Sequence, residues 1–282
     1  ATVSKVPTIP VNIQMGTGDD SVSFSGTATG NIIDLGEGDD YAGLTQDGTA
    51  TINGGNGSDY IQNIGTGRAI INGQGGDDRL FGNTSADRIT GGNRNDDIDG
   101  PAELIDAGSG DDIVSLAVGQ FTGNSTIIGG SGSDRLNIFG TPSNDIITVS
   151  NTGGQVRVGV GDRTITSTNF QDLLIDGAAG GDTFIVDDLI GSGLQTFAID
   201  YGKSTTANGT EIFTEYEGVN VFRSIVPVLS VSNDGAADIL TVSGSTENDT
   251  FTLTAAGEND ALQAYTIVEV RRAGGVKVDL TS

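Results

Sequence analysis

The chain has 282 residues, 45 of them glycine, no cysteine, tryptophan or histidine, and a formal net charge of −25 from 38 acidic and 13 basic side chains. That balance argues against a nucleic-acid partner, because neutralising phosphates takes lysine and arginine in number, and the missing histidines exclude a histidine-based triad and the two-histidine zinc motif. Without cysteine there is no disulfide framework, and the apolar residues arrive in twos and threes, too short to span a membrane.

Residues 1–14 carry Pro7 and Pro10 among Val6, Ile9, Val11 and Ile13. They read as an extended arm that caps the first repeat or adds a strand to another molecule. From 15 to 139, short strands alternate with turns: Ser21 to Phe24, Asn31 to Leu35, Tyr41 to Thr45, Thr51 to Asn53, Tyr60 to Ile64, Ala69 to Asn72. Every second turn ends on an aspartate, preceded by glycines at fixed offsets. In chain order these sets are Gly16, Gly18 and Asp20; Gly36, Gly38 and Asp40; Gly54, Gly55, Gly57 and Asp59; Gly73, Gly76 and Asp78; Gly91 and Asp96; Gly108, Gly110 and Asp112; Gly130, Gly132 and Asp134. The aspartates are 20, 19, 19, 18, 16 and 22 residues apart. A step of that size is one full coil of two strands and two turns, so one aspartate per coil falls on the same edge of a solenoid. A glycine-rich chain poor in aromatics suits such stacking, in which each coil buries its inner face on its neighbours.

Stacked strands lie roughly 4.8 Å apart. Unit charges at that distance repel by about 1 kcal/mol in bulk water and about fourfold more at an effective dielectric near 20. Lysine and arginine are too scarce nearby to answer seven such charges. A hard divalent cation suits carboxylate and carbonyl oxygens, and glycines at positive φ can aim the turn carbonyls inward. For one copy, an ordinary Asx-turn would explain the same residues. Seven copies in register point to metal.

The three segments Ile52-Asn-Gly-Gly-Asn-Gly-Ser-Asp59, Ile71-Asn-Gly-Gln-Gly-Gly-Asp-Asp78 and Ile89-Thr-Gly-Gly-Asn-Arg-Asn-Asp96 follow the nonapeptide glycine-glycine-x-glycine-x-aspartate-x-aliphatic-x. They resemble the RTX (repeats-in-toxin) family of secreted bacterial calcium-binding proteins. The resemblance implies an all-β, right-handed parallel β-roll or β-helix, several Ca²⁺ ions shared between aspartates of adjacent coils, and a secreted, cell-surface location. Residue 1 is Ala with no signal-type segment before it, so a mature form or an excised piece is expected. The family's usual export route is read from the C-terminus, so a missing N-terminal signal does not argue for the cytoplasm.

The pattern has defects. Arg94 stands where the third glycine belongs, Pro101 follows in a shortened coil, and Gln120 to Asn124 lengthens the step to Asp134 by a small loop. Ions are therefore expected first between the coils of Asp20 to Asp78 and last beside Asp96. The alternate turns lack the aspartate register except at Asp87, nine residues from both Asp78 and Asp96. Its segment reads as a degenerate nonapeptide on the opposite edge, and a lone site there is expected to stay unfilled.

Residues 140–282 begin a longer repeat. Asp134 to Val149 matches Asp238 to Leu253 at a constant offset of 104, similar to Gly-Thr/Ser-x-x-Asn-Asp modules of large bacterial surface proteins. Alternating stretches follow at Gln155 to Val160 and Ala264 to Val270, and Asp176 to Val186 is another calcium-type turn. This half is β-rich, as wider coils or as a sandwich.

No constellation looks catalytic. Paired carboxylates such as Asp39–Asp40 and Asp111–Asp112 point to different sides at i, i+1, and the ladder explains them better than an acid/base dyad does. Tyr41 and Tyr60 are expected to cover the sheet. Asn83, Asn124, Asn208 and Asn248 each head an Asn-x-Ser/Thr triplet, read here as coincidence. The functional expectation is a secreted, calcium-stiffened structural element of a surface layer, filament, adhesin or matrix that folds on meeting calcium and assembles with itself. The alternatives are a calcium-binding appendage of a secreted enzyme and a carbohydrate-binding adhesin module contacting surface glycan.

Overall fold

The computed structural model describes residues 9–83, 87–121, 123–143, 145–178, 183–186, 192–194 and 196–200, together with five strands between 228 and 281. The chain divides into two compact units, Ala1–Leu136 with Ser167–Phe170, and Asn137–Thr166 with Gln171–Ser282.

The first unit is a parallel β-solenoid of about seven turns. Its longer strands are β1 (Asn12–Thr17), β3 (Asn31–Glu37), β5 (Ala50–Asn56), β7 (Ala69–Gly75), β9 (Arg88–Asn93), β11 (Leu104–Ser109) and β13 (Ser125–Ser131). They pair in that order into one parallel sheet. The shorter strands β2 (Ser21–Phe24), β4 (Tyr41–Leu44), β6 (Tyr60–Asn63), β8 (Arg79–Phe81), β10 (Asp97–Asp99) and β12 (Ile113–Ala117) form the second parallel sheet in the same way. β14 (Arg135–Phe139) carries the chain across the boundary between the units.

Parallel pairing puts identical positions of successive coils on top of one another. Ile33, Ile52, Ile71, Ile89 and Ile105 form one interior column, and Val22, Ala42, Ile61, Leu80, Ile98 and Val114 face them from the second sheet. All are at most 1% exposed. Each fully buried isoleucine or leucine contributes about 2 kcal/mol relative to exposure. This column stands where a globular protein would place a large aromatic core.

Several boundaries differ from the sequence expectation. The arm is shorter than residues 1–14, because β1 begins at Asn12 and pairs with β3; residues 1–8 lie outside the described residues. The long strands also run into the glycines. β5 extends through Asn56, so the turn proper is Gly57-Ser58-Asp59. The ladder continues because Gly55 pairs with Gly36 in register, at a φ of +120° that a side chain rarely adopts. The lengthened step before Asp134 holds a 3₁₀ turn, Val118–Gln120, with Phe121 buried behind it.

Among its described residues the second unit holds parallel strand stacks and an antiparallel hairpin, and the parallel pairing suits wider coils rather than a sandwich. β15 (Ile146–Thr152) and β16 (Gln155–Val160) form the antiparallel hairpin across Gly153-Gly154, both at positive φ. β17 (Arg163–Thr168) comes next. β15 also pairs in parallel with β19 (Thr183–Val186), which pairs with β22 (Ile239–Ser243) and that with β24 (Ile267–Arg271). β18 (Asp172–Asp176), β20 (Thr196–Asp200) and β21 (Val228–Ser232) make a second parallel stack, and β23 (Thr250–Thr254) pairs with β25 (Lys277–Thr281). The 104-residue repeat is visible in the strand starts: β14 and β22 begin at 135 and 239, β15 and β23 at 146 and 250. The copies are not placed alike, since β15 pairs with β16 and β19 while β23 pairs with β25.

Candidate metal centre

All seven register aspartates lie on one edge, each immediately before a strand of the second sheet. Six of them, Asp40, Asp59, Asp78, Asp96, Asp112 and Asp134, are at most 3% exposed. Asp20, in the first coil, is half-buried. The carboxylates do not face one another as bare charges. Oδ1 of each accepts the backbone N–H of the aspartate one coil earlier: Asp20 N to Asp40 at 2.7 Å, Asp40 N to Asp59 at 3.0 Å and Asp59 N to Asp78 at 2.9 Å. The ladder continues with Asp78 N to Asp96 at 2.9 Å, Asp96 N to Asp112 at 2.8 Å and Asp112 N to Asp134 at 3.0 Å.

A second, exposed ladder runs beside the first in the opposite sense, and sequence reasoning missed it. Asp39 N donates back to Asp19 Oδ1 at 3.0 Å, Ser58 N to Asp39 at 2.8 Å, Asn95 N to Asp77 at 3.2 Å, Asp111 N to Asn95 at 2.9 Å and Ser133 N to Asp111 at 2.8 Å. The pairs Asp39–Asp40 and Asp111–Asp112 thus bond to coils on opposite sides. The recurring Asp, Asn or Ser just before each register aspartate was the available signal.

The second oxygen of the inner carboxylates is different. Oδ2 of Asp40, Asp59, Asp78, Asp96 and Asp112 is buried and has no hydrogen-bond partner. A buried acceptor left this way costs about 1–3 kcal/mol, and more when charged. Beside three of these atoms the chain carries a glycine. A Cβ on Gly54 would collide with Asp59 Oδ2 and stand 2.7 Å from Gly73 O. One on Gly73 would collide with Asp78 Oδ2 and stand 2.6 Å from Gly91 O, and one on Gly91 would collide with both Asp96 Oδ2 and Ala107 O. At each of these glycines the missing side chain lets a carboxylate oxygen of its own coil and a main-chain carbonyl of the next coil share the place a Cβ would take. Two acceptors and no donor make an arrangement that a hard cation would satisfy. Among the described residues no group of three or more acidic, histidine or cysteine side chains could hold a metal; each of these glycine positions brings one carboxylate oxygen together with a main-chain carbonyl. The resemblance implied ions shared between carboxylates. Here Oδ1 is already committed to an N–H, and Oδ2 alone is left.

Loss of hydration pushes these carboxyls up, more than neighbouring negative charges do. Asp59 rises from 3.8 to about 7, Asp78 and Asp112 to about 6 and Asp96 to about 8, the N–H donors pulling the other way in each case. Asp40 and Asp134 are raised for the same cause. The Coulombic repulsion emphasised by the sequence is the smaller effect. A rise from 3.8 to about 6 corresponds to about 3 kcal/mol against the ionised form. Several such groups would offset most of the 5–15 kcal/mol that typically stabilises a domain.

On the opposite edge, Asp87 is 0% exposed and fully engaged. It accepts Ala69 N–H at 2.7 Å, Asn83 N–H at 3.0 Å and the Asn63 side-chain amide at 3.2 and 3.4 Å. These bonds close the turn around it. The same closure recurs where Thr141 N donates to Asp145 Oδ2 at 2.6 Å. Gly82 N and Gly140 N each donate onward, to Asp99 O at 2.9 Å and Asp176 O at 2.7 Å. The sequence-equivalent Gly244 to Asp249, like Asp182 of the Asp176 turn, lies outside the described residues. Asn83 is 9% exposed, and its side-chain amide donates to Gly65 O and Gly67 O, so it serves the same closure.

Tyr41 and Tyr60 stack with centroids 5.6 Å apart, and Phe81 tilts onto Tyr60 at 5.1 Å. Their faces are turned to one another along the stack. Among the described residues no helix is long and apolar enough to cross a membrane.

No protein-family model matches this chain, and no curated protein matches it either.

Proposed function

We propose that this chain is a secreted calcium-binding structural module of a bacterial cell surface, with no catalytic role, that folds when it meets extracellular calcium and then assembles with copies of itself. The observation that carries the metal reading is the column of buried, unpartnered Oδ2 atoms, three of which meet a main-chain carbonyl at Gly54, Gly73 and Gly91. Oxygen-only ligands in a flexible turn favour calcium over softer or more geometrically demanding metals. Glycine carbonyls and Asp59, Asp78 and Asp96 would hold the ions, and the bound charge would neutralise carboxylates that burial otherwise opposes. The surface location and export rest on the resemblance of the nonapeptides, and self-assembly on the general tendency of uncapped solenoid ends to stack. Coupling of binding to folding follows because the two oxygens of each gap belong to different coils and meet only when the coils stack.

The test is a calcium titration followed by far-UV circular dichroism and sedimentation velocity on the same samples. β signal that appears with calcium, followed by large species, is the expected result. Full β signal in chelator at neutral pH would refute calcium-dependent folding, and a calcium-loaded monomer at high concentration would refute self-assembly.

A further inference from the structure

One interior position differs from coil to coil in a way the turn motif does not reveal. Strand register places Met15, Leu35, Gly54, Gly73, Gly91, Ala107 and Gly129 in a single column, one residue before the paired positions Gly16, Gly36, Gly55, Gln74, Gly92, Gly108 and Gly130. From Leu35 onward this column is buried. In the coils of Asp59, Asp78, Asp96 and Asp134 it holds glycine, and the absent side chain is what admits Oδ2 and a main-chain carbonyl, from Asn169 in the last of these coils, to the place a Cβ would take. In the coils of Asp40 and Asp112 the same place holds the side chains of Leu35 and Ala107, both 0% exposed. An alkyl group there supplies no ligand, and it fills volume that a cation and its oxygens would need.

Building on the calcium reading, we propose that ions bind at the glycine positions of this column, the contiguous coils of Asp59, Asp78 and Asp96 first among them, and are excluded from the coils of Asp40 and Asp112, where the side chains of Leu35 and Ala107 occupy that position. The number of ions is then set by one interior residue per coil rather than by the number of aspartates. This ordering differs from the one the turn residues suggest. Asp40 has complete turn glycines, Gly36 and Gly38, yet is plugged. Asp96, beside the anomalous Arg94, is open, and Arg94 itself is exposed, away from the gap. The occupied gaps are consecutive, so filling one fixes the coil-to-coil spacing that the next requires, and loading is cooperative.

The experiment counts calcium bound per full-length chain by equilibrium dialysis for the natural protein, Gly73→Ala and Ala107→Gly, with folding checked by circular dichroism. Gly73→Ala is expected to bind one ion fewer and Ala107→Gly one more. The first variant is expected to fold, because Ala107 already occupies the equivalent place within the same solenoid. Should it not fold, Ala107→Gly decides alone, since removing a methyl cannot obstruct a gap. Counts unchanged in both variants, with calcium bound by the natural protein, overturn the plug while leaving the calcium reading intact. A natural protein that binds no calcium overturns both.

Discussion

Asp78→Asn should shift the metal-free and the calcium-loaded protein in opposite directions. In the metal-free fold, Asp78 Oδ1 accepts Asp59 N–H at 2.9 Å, and an amide oxygen can keep that bond. Oδ2 is buried with no partner beside Gly91 O, and an amide N–H in its place donates to that carbonyl. Ionising the natural side chain in the fold is opposed, since burial raises it from 3.8 to about 6. At pH 7, above both values, that opposition amounts to about 3 kcal/mol. The substitution removes it, so metal-free Asp78→Asn is expected to be more stable by up to about 3 kcal/mol at pH 7. As pH falls from about 6 to 3.8 the natural carboxyl takes up its proton and the advantage fades, reaching its minimum below 3.8. With saturating calcium the sign reverses, because the variant lacks the charged ligand. The assay is thermal or urea unfolding at pH 7 and pH 4, in chelator and in calcium. A variant destabilised in chelator at pH 7, or a gain that persists undiminished at pH 4, would refute the reasoning.

Three further outcomes rest on the same geometry. Asp96, raised to about 8, holds its proton at neutral pH, so calcium loading should release protons and weaken as pH falls; calorimetry in buffers of different ionisation enthalpy measures the release, and a buffer-independent heat would contradict it. Arg94 sits at φ 82° in a column otherwise made of glycines, so Arg94→Gly should stabilise the fold by roughly 1 kcal/mol, read as a raised denaturation midpoint. Asp87→Ala strands the N–H groups of Ala69 and Asn83 and should destabilise by about 3 kcal/mol or more. It should leave the number of bound calcium ions unchanged, and a lost ion would show that Asp87 is a ligand after all.

The sequence by itself determined the solenoid, its coil length and the edge on which the aspartates stand. Those come from period alone: a step near 19 residues with aliphatic residues at constant phase admits one stacking register, which puts Ile52 over Ile33 and Asp59 over Asp40. It also placed the strip of Tyr41 and Tyr60, because residues just after the register aspartate face outward by alternation. Left open was the second half, where pairs such as Thr183 with Ile239 lie too far apart in the chain for any local pattern to reveal them.

Tertiary structure alone decided what each oxygen does. That Oδ1 of Asp59 reaches back to Asp40 N while Oδ1 of Asp39 reaches forward to Ser58 N depends on the vertical offset between coils, which no single repeat encodes. Asp87 and Asp145 likewise became recognisable as one kind of closure only once their partners were in place. The place of Leu35 is the clearest case. In sequence it is an ordinary strand leucine, and only the register that aligns it with Gly54 and Gly73 shows a side chain standing where other coils pack a buried carboxylate against a bare glycine.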